Sequence, residues 1–218
     1  MKKNSRLLFA FFLFLSACSS HQKKIILYAD SKIQVDESQK NITVQEGTTQ
    51  VETELNFNSS EPVVLNIIGP HGKYTLEANE DGLWLANLKS DTIIGSMQHT
   101  GNIKQTRLTQ DQLKLQLDSL NQLVRGKNIS ASSKNYFIIP GKIEKITPLT
   151  TAKIFGPFVP IPSAFDAGSV PEIYKFYNLS EVNTIIGKLT EMSKYKYEKG
   201  DERKEDDDSV YTIHPTKK

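Results

Sequence analysis

Cysteine occurs once in 218 residues, at Cys18. That excludes an intramolecular disulfide and a cysteine-built zinc centre. Histidine is scarce, with only His21, His71, His99 and His214. No two are spaced as metal ligands, and neither His-Glu-x-x-His nor His-x-His occurs. Charge of one sign is lacking, because 27 Lys and Arg oppose 25 Asp and Glu. Without Lys2, Lys3 and Arg6 the balance is 24 against 25. Such a chain has no global field to draw it onto nucleic acid. Long apolar runs are missing too. Leu7–Leu15 has nine residues, whereas a bilayer-spanning helix needs about 20.

Catalytic signatures are also absent. There is no Gly-x-Ser-x-Gly, no P-loop and no Gly-x-Gly-x-x-Gly. Ser-x-x-Lys occurs at Ser20–Lys23 and Ser193–Lys196, without the companion Ser-Asp-Asn or Lys-Thr-Gly. Asp206-Asp207-Asp208 lacks the spaced oxygens, glycine bend and closing Glu of a calcium loop. The chain is therefore expected to hold no catalytic, cofactor-binding or metal-binding residues.

The N-terminus is the most specific part of the sequence. Lys2, Lys3 and Arg6 precede the apolar run, and small residues follow it. That order describes a secretory signal. Leu15-Ser16-Ala17-Cys18 then resembles the lipobox of bacterial lipoproteins, with Leu at −3, small residues at −2 and −1, and Cys at +1. The resemblance covers residues 1–18. It implies cleavage by signal peptidase II before Cys18 and a diacylglyceryl group on the Cys18 thiol. More than one acyl chain anchors stably, where a single chain binds marginally. The resemblance further implies a cell-envelope location. Ser19, in place of Asp, suits the outer membrane, with the body facing the periplasm.

Residues 25–107 read as a β-sandwich domain. Short apolar runs alternate with turn residues, giving strands near Ile25–Ala29, Lys32–Val35, Ile42–Gln45, Thr48–Phe57, Val63–Ile68, Tyr74–Ala78, Leu83–Leu88 and Thr92–Met97. Period-2 alternation is clear in Val51, Thr53, Leu55 and Phe57. The expected fold class is mainly β: an antiparallel, immunoglobulin-like sandwich with an appended α+β segment. Its architecture is similar to immunoglobulin-like accessory modules of the carboxypeptidase-regulatory and PEGA types. Trp84, between Leu83 and Leu85, is expected in the core.

Residues 108–193 read as the α+β segment. Leu113, Leu117, Leu120 and Val124 form a helical stripe, with Thr109 as N-cap and Gly126 as stop. Asn135–Ile139 and Lys142–Ile146 read as strands around Pro140-Gly141. Gly156–Pro162 reads as an extended connector pinned by Phe155, Phe158 and Ile161. A strand around Ile173–Tyr177 precedes a helix whose apolar side is Val182, Ile185, Ile186, Leu189 and Met192. Residues 18–24 are read as a lipidated tether and 194–218 as a disordered charged tail. Asp91-Thr92-Ile93, Asp118-Ser119-Leu120 and Asp208-Ser209-Val210 resemble the acceptor of a bacterial O-glycosylation system.

The expected function is that of a non-catalytic binding or envelope-structural module. Its partners are the membrane, through the lipid, and an envelope protein or polymer, with no nucleic acid. An anchored hydrolase of envelope polymers and a small-ligand carrier remain as alternatives.

Overall fold

The computed structural model describes residues 21–70, 72–98, 109–130, 132–157, 159–162 and 172–194. The signal segment, Cys18, His71, His99, Phe158 and the charged tail with His214 lie outside the described residues.

Among the described residues the protein is mainly β, with three four-stranded sheets. The middle sheet contains β1 (Lys23–Ala29), β4 (Val51–Phe57), β7 (Gly82–Asn87) and β10 (Lys142–Thr147), in the order β10-β7-β1-β4. A second sheet contains β2 (Ile33–Asp36), β3 (Asn41–Val44), β5 (Val63–Gly69) and β6 (Gly72–Ala78), in the order β2-β3-β5-β6. The third contains β8 (Ile93–Gln98), β9 (Asn135–Ile138), β11 (Lys153–Phe155) and β12 (Ile173–Asn178), in the order β11-β12-β8-β9.

Strands β1 and β7 carry apolar residues on both faces, and nearly every position in them is buried. That is the pattern of a strand covered on two sides. On one face Ile25, Leu27, Trp84 and Ala86 meet Ile42, Leu65, Ile67 and Leu76 of the second sheet. On the other, Ile26, Tyr28, Leu83 and Leu85 meet Ile93, Tyr136, Tyr174 and Phe176 of the third. The middle sheet is thus shared by two cores. Trp84 is in the first core, 7% exposed, and its indole N–H donates to the Glu80 carbonyl at 3.0 Å.

The outer face of the third sheet receives the helices. Helix α2 (Leu179–Lys194) packs on β8, β12 and α1 (Gln110–Leu123). Thr109 caps α1 in a reciprocal box with Gln112. Gly126 takes φ +66° just past that helix. Met192, expected on the apolar side of α2, is instead 48% exposed; Val182 and Leu189 are the buried residues of that helix.

Two expectations need correction. The sheets are mixed rather than antiparallel, because β1–β7, β3–β5 and β11–β12 are parallel pairs. Hydrophobic alternation reports which face is buried, and carries no information on strand direction. The division expected at residue 107 is also crossed. β10 borders β7 in the middle sheet, and β8 pairs with both β9 and β12. Strand β1 begins at Lys23, inside the segment expected to be tether.

Candidate functional site

Polar chemistry collects at the margins of the second core. Tyr28, near the end of β1, lies opposite Glu52 of the edge strand β4. Opposed residues of an antiparallel pair share a face, so the phenol and the carboxylate are side by side. Tyr28 is buried, and among the described residues no group meets its hydroxyl with hydrogen-bond geometry, although Glu52 is beside it. Burial, then the Glu52 charge, push the phenol far above its ordinary range. Partial desolvation raises the Glu52 carboxyl, outweighing the influence of Tyr28 and Lys24, although the side chain keeps much of its exposure on the outer face of β4.

Gly156, just after β11, closes over this pair. A side chain at Gly156 would place its Cβ 2.7 Å from the Tyr28 hydroxyl oxygen and 3.2 Å from Glu52 Oε2. The Gly156 carbonyl accepts from the buried Lys175 ammonium at 2.5 Å. Burial brings Lys175 down to about 8, against the opposing Glu181 carboxylate. Its Nζ lies 4.6 Å from the centre of the Tyr177 ring. Beside the pair is a cleft of about 90 Å³, bordered by Tyr28, Gln50, Glu52, Lys89, Gly156 and Val159. Lys89 is itself engaged by Asp30, at 2.5 Å. Burial would raise Asp30, but hydrogen bonds from Lys89 and Ser90 hold it below the usual carboxylate range.

A water occupies about 30 Å³ of liquid, so the cleft has room for roughly three. Drug-sized ligands occupy pockets of about 300–1,000 Å³. The cleft therefore suits one small polar group. A second concavity, of about 330 Å³, is a polar surface of α1 lined by Asp118, Asn121, Gln122, Arg125 and Lys127. Neither is a large apolar cavity of the kind the carrier reading calls for.

A second polar group is internally satisfied. Tyr174 donates to Glu172 at 2.7 Å, Lys134 pairs with the other oxygen of that carboxylate, and Tyr136 donates to the Ile146 carbonyl at 2.5 Å. Burial acts to raise Glu172, and hydrogen bonds from Lys134, Thr147 and Tyr174 bring it below its ordinary range. This network closes one end of the second core.

The third group fixes the chain entry. His21 Nδ1 is 2.8 Å from Asp81 Oδ2, and Gly82 N–H donates to the Gln22 carbonyl at 2.9 Å. Thr150 donates to Gln22 Oε1 at 2.8 Å. The buried Lys23 ammonium donates to the Ser59 carbonyl at 2.5 Å and to Asp81 Oδ1 at 3.2 Å. His21 is the one histidine among the described residues, and no group of three or more potential metal ligands occurs there.

No family model, curated protein or solved structure matches the chain.

Cys18, the residue singled out from sequence, lies outside the described residues, three positions before His21. The Tyr28–Glu52–Gly156 group was not foreseen. Its one sequence signal is the polar face of β4, made by Glu52, Glu54 and Asn56. Bringing Glu52 to Tyr28 takes the β1–β4 register, and bringing Gly156 there takes the β11–β12 pairing.

Proposed function

We propose that the protein is a bacterial lipoprotein, anchored through a diacylglyceryl group on Cys18, whose β body is a non-catalytic binding or envelope-structural module. The observation that carries this is the run Leu15-Ser16-Ala17-Cys18 behind a basic, apolar signal segment. Ser19 favours an outer-membrane position facing the periplasm. The facing of the first two sheets across one aliphatic core supports a reading of them as a sandwich of immunoglobulin-like accessory type. The small cleft and the closed pairs of Asp30 and Glu172 favour recognition by surface over chemistry at a pocket.

The raised Glu52 carboxyl in a cleft favours the second reading, an anchored hydrolase, because shifted carboxyls gather at catalytic sites. Metabolic labelling with a clickable fatty acid tests the anchor. Wild type should label and Cys18→Ala should not, since no other thiol can substitute. Labelling that survives in the variant refutes the lipobox reading. Glu52→Gln separates the two functions: deletion complementation should persist for a binding module and fail for a hydrolase that uses Glu52.

A further inference from the structure

We propose that the end of the body formed by the β4–β5, β6–β7 and β10–β11 turns lies against the lipid headgroups, and that the Tyr28 cleft faces away from the bilayer. This rests on the reading of Cys18 as the lipidated residue.

The argument starts from reach. Only Ser19 and Ser20 separate Cys18 from His21. Three residue steps, fully extended, span at most about 11 Å. The acyl chains on Cys18 must enter the hydrocarbon, which holds that residue at the headgroup layer. That layer is itself roughly 5–8 Å thick on each side. His21 therefore cannot stand more than about a nanometre beyond it.

From His21 onward the chain is tied to the body. Asp81 of the β6–β7 turn holds His21 and Lys23, Ser59 of the β4–β5 turn holds Lys23, and Thr150 of the β10–β11 turn holds Gln22. These bonds leave no slack between tether and sheet. Three turns at one end of the middle sheet are thus brought to the membrane along with His21.

The chemistry of this end suits a bilayer surface. Leu149, beside Thr150, is 40% exposed and offers an apolar side chain at the interface. The carboxylates Glu80, Asp81 and Glu172 each have a lysine partner, in Lys145, Lys23 and Lys134, and Glu61 of the β4–β5 turn is in no ion pair among the described residues. Paired charges lower the repulsion from anionic lipid. Strand β1 then runs away from this end. Tyr28 is five residues past Lys23, about 17 Å along the strand at ~3.3 Å per residue. The cleft and the Asp30–Lys89 pair are therefore presented to the aqueous side.

The test uses the full lipidated protein in vesicles of phosphatidylethanolamine and phosphatidylglycerol. With Cys18 consumed by lipid, a single introduced cysteine is the one free thiol. Leu149→Cys and Ser60→Cys place a fluorophore at the near end, and Lys142→Cys places it at the far end; all three positions are exposed. Quenching by headgroup spin-labelled lipid should be several-fold stronger at 149 and 60 than at 142. Equal or reversed quenching in protein whose N-terminal peptide carries the lipid mass overturns the orientation and leaves the anchor standing. An N-terminal peptide without lipid mass overturns both.

Discussion

The two faces of the middle sheet are packed with different chemistry. Against the second sheet, Trp84 and the aliphatic residues of β1 and β7 meet aliphatic side chains, with Tyr74 partly buried beside them. Against the third, β1 and β7 meet Tyr136, Tyr174 and Phe176, with Glu52, Glu172 and Lys175 at the margins. The buried residues of the first core carry no titratable side chain, and the phenol of Tyr74 is only partly buried beside them. The second must satisfy hydroxyls and charges, and among the described residues it leaves the Tyr28 hydroxyl unsatisfied. Stability should therefore depend on volume in the first core and on polar partners in the second.

The largest effect should come from making a void in the first core. Leu65 of β5 is fully buried. Leu65→Ala should cost about 2–5 kcal/mol, read by chemical denaturation of the mature chain. The second core is broken by the opposite change. A Cβ on Gly95 would lie 2.3–2.5 Å from ring atoms of Phe176. Gly95→Ala should cost about 1–3 kcal/mol through overpacking. A cost below about 0.5 kcal/mol would show that the Phe176 ring moves aside freely.

Much of this layout is legible in the sequence. Strand β4 shows its alternation because it is an edge strand with one buried face, Thr53 and Leu55 being the more covered and Glu52 and Glu54 the more exposed. Strands β1 and β7 show uninterrupted apolar runs because both their faces are covered. Direction is not legible, since β1 lies parallel to a strand more than fifty residues further on. Strand β11 escaped notice because three residues cannot display a period; only its pairing with β12 defines it. The cleft was hidden for the same reason. Tyr28, Glu52 and Gly156 come from three separate segments, and only strand register brings them together.

A pH profile sharpens the contrast at Lys175. In the unfolded chain a lysine titrates near 10.4, and in the folded protein Lys175 titrates near 8. Between these values the unfolded chain binds more protons, so stability rises with pH across that interval. Below pH 8 both states hold the proton, and this contribution levels off. Between pH 8 and 9, where tyrosines of the unfolded chain still hold their protons, Tm should climb. In Lys175→Met that climb should flatten, whatever the variant loses through the unpaired Gly156 carbonyl. An unchanged slope would mean that Lys175 keeps its ordinary proton affinity.

The smallest effect should separate two tyrosines of the same core. Tyr174 donates to Glu172 at 2.7 Å. Tyr174→Phe removes that donor and should cost about 1.5 kcal/mol, the low end of the range for a hydrogen bond with one charged partner. Tyr28 is about as deeply buried, but its hydroxyl has no bonded partner among the described residues. A buried hydroxyl without a hydrogen bond is a desolvation cost, so Tyr28→Phe should be neutral or stabilising by up to about 1 kcal/mol. Denaturation midpoints of the two variants, measured side by side, make the comparison. If Tyr28→Phe costs as much as Tyr174→Phe, the Tyr28 hydroxyl has a partner in solution, and a water in the adjacent cleft is the group to look for.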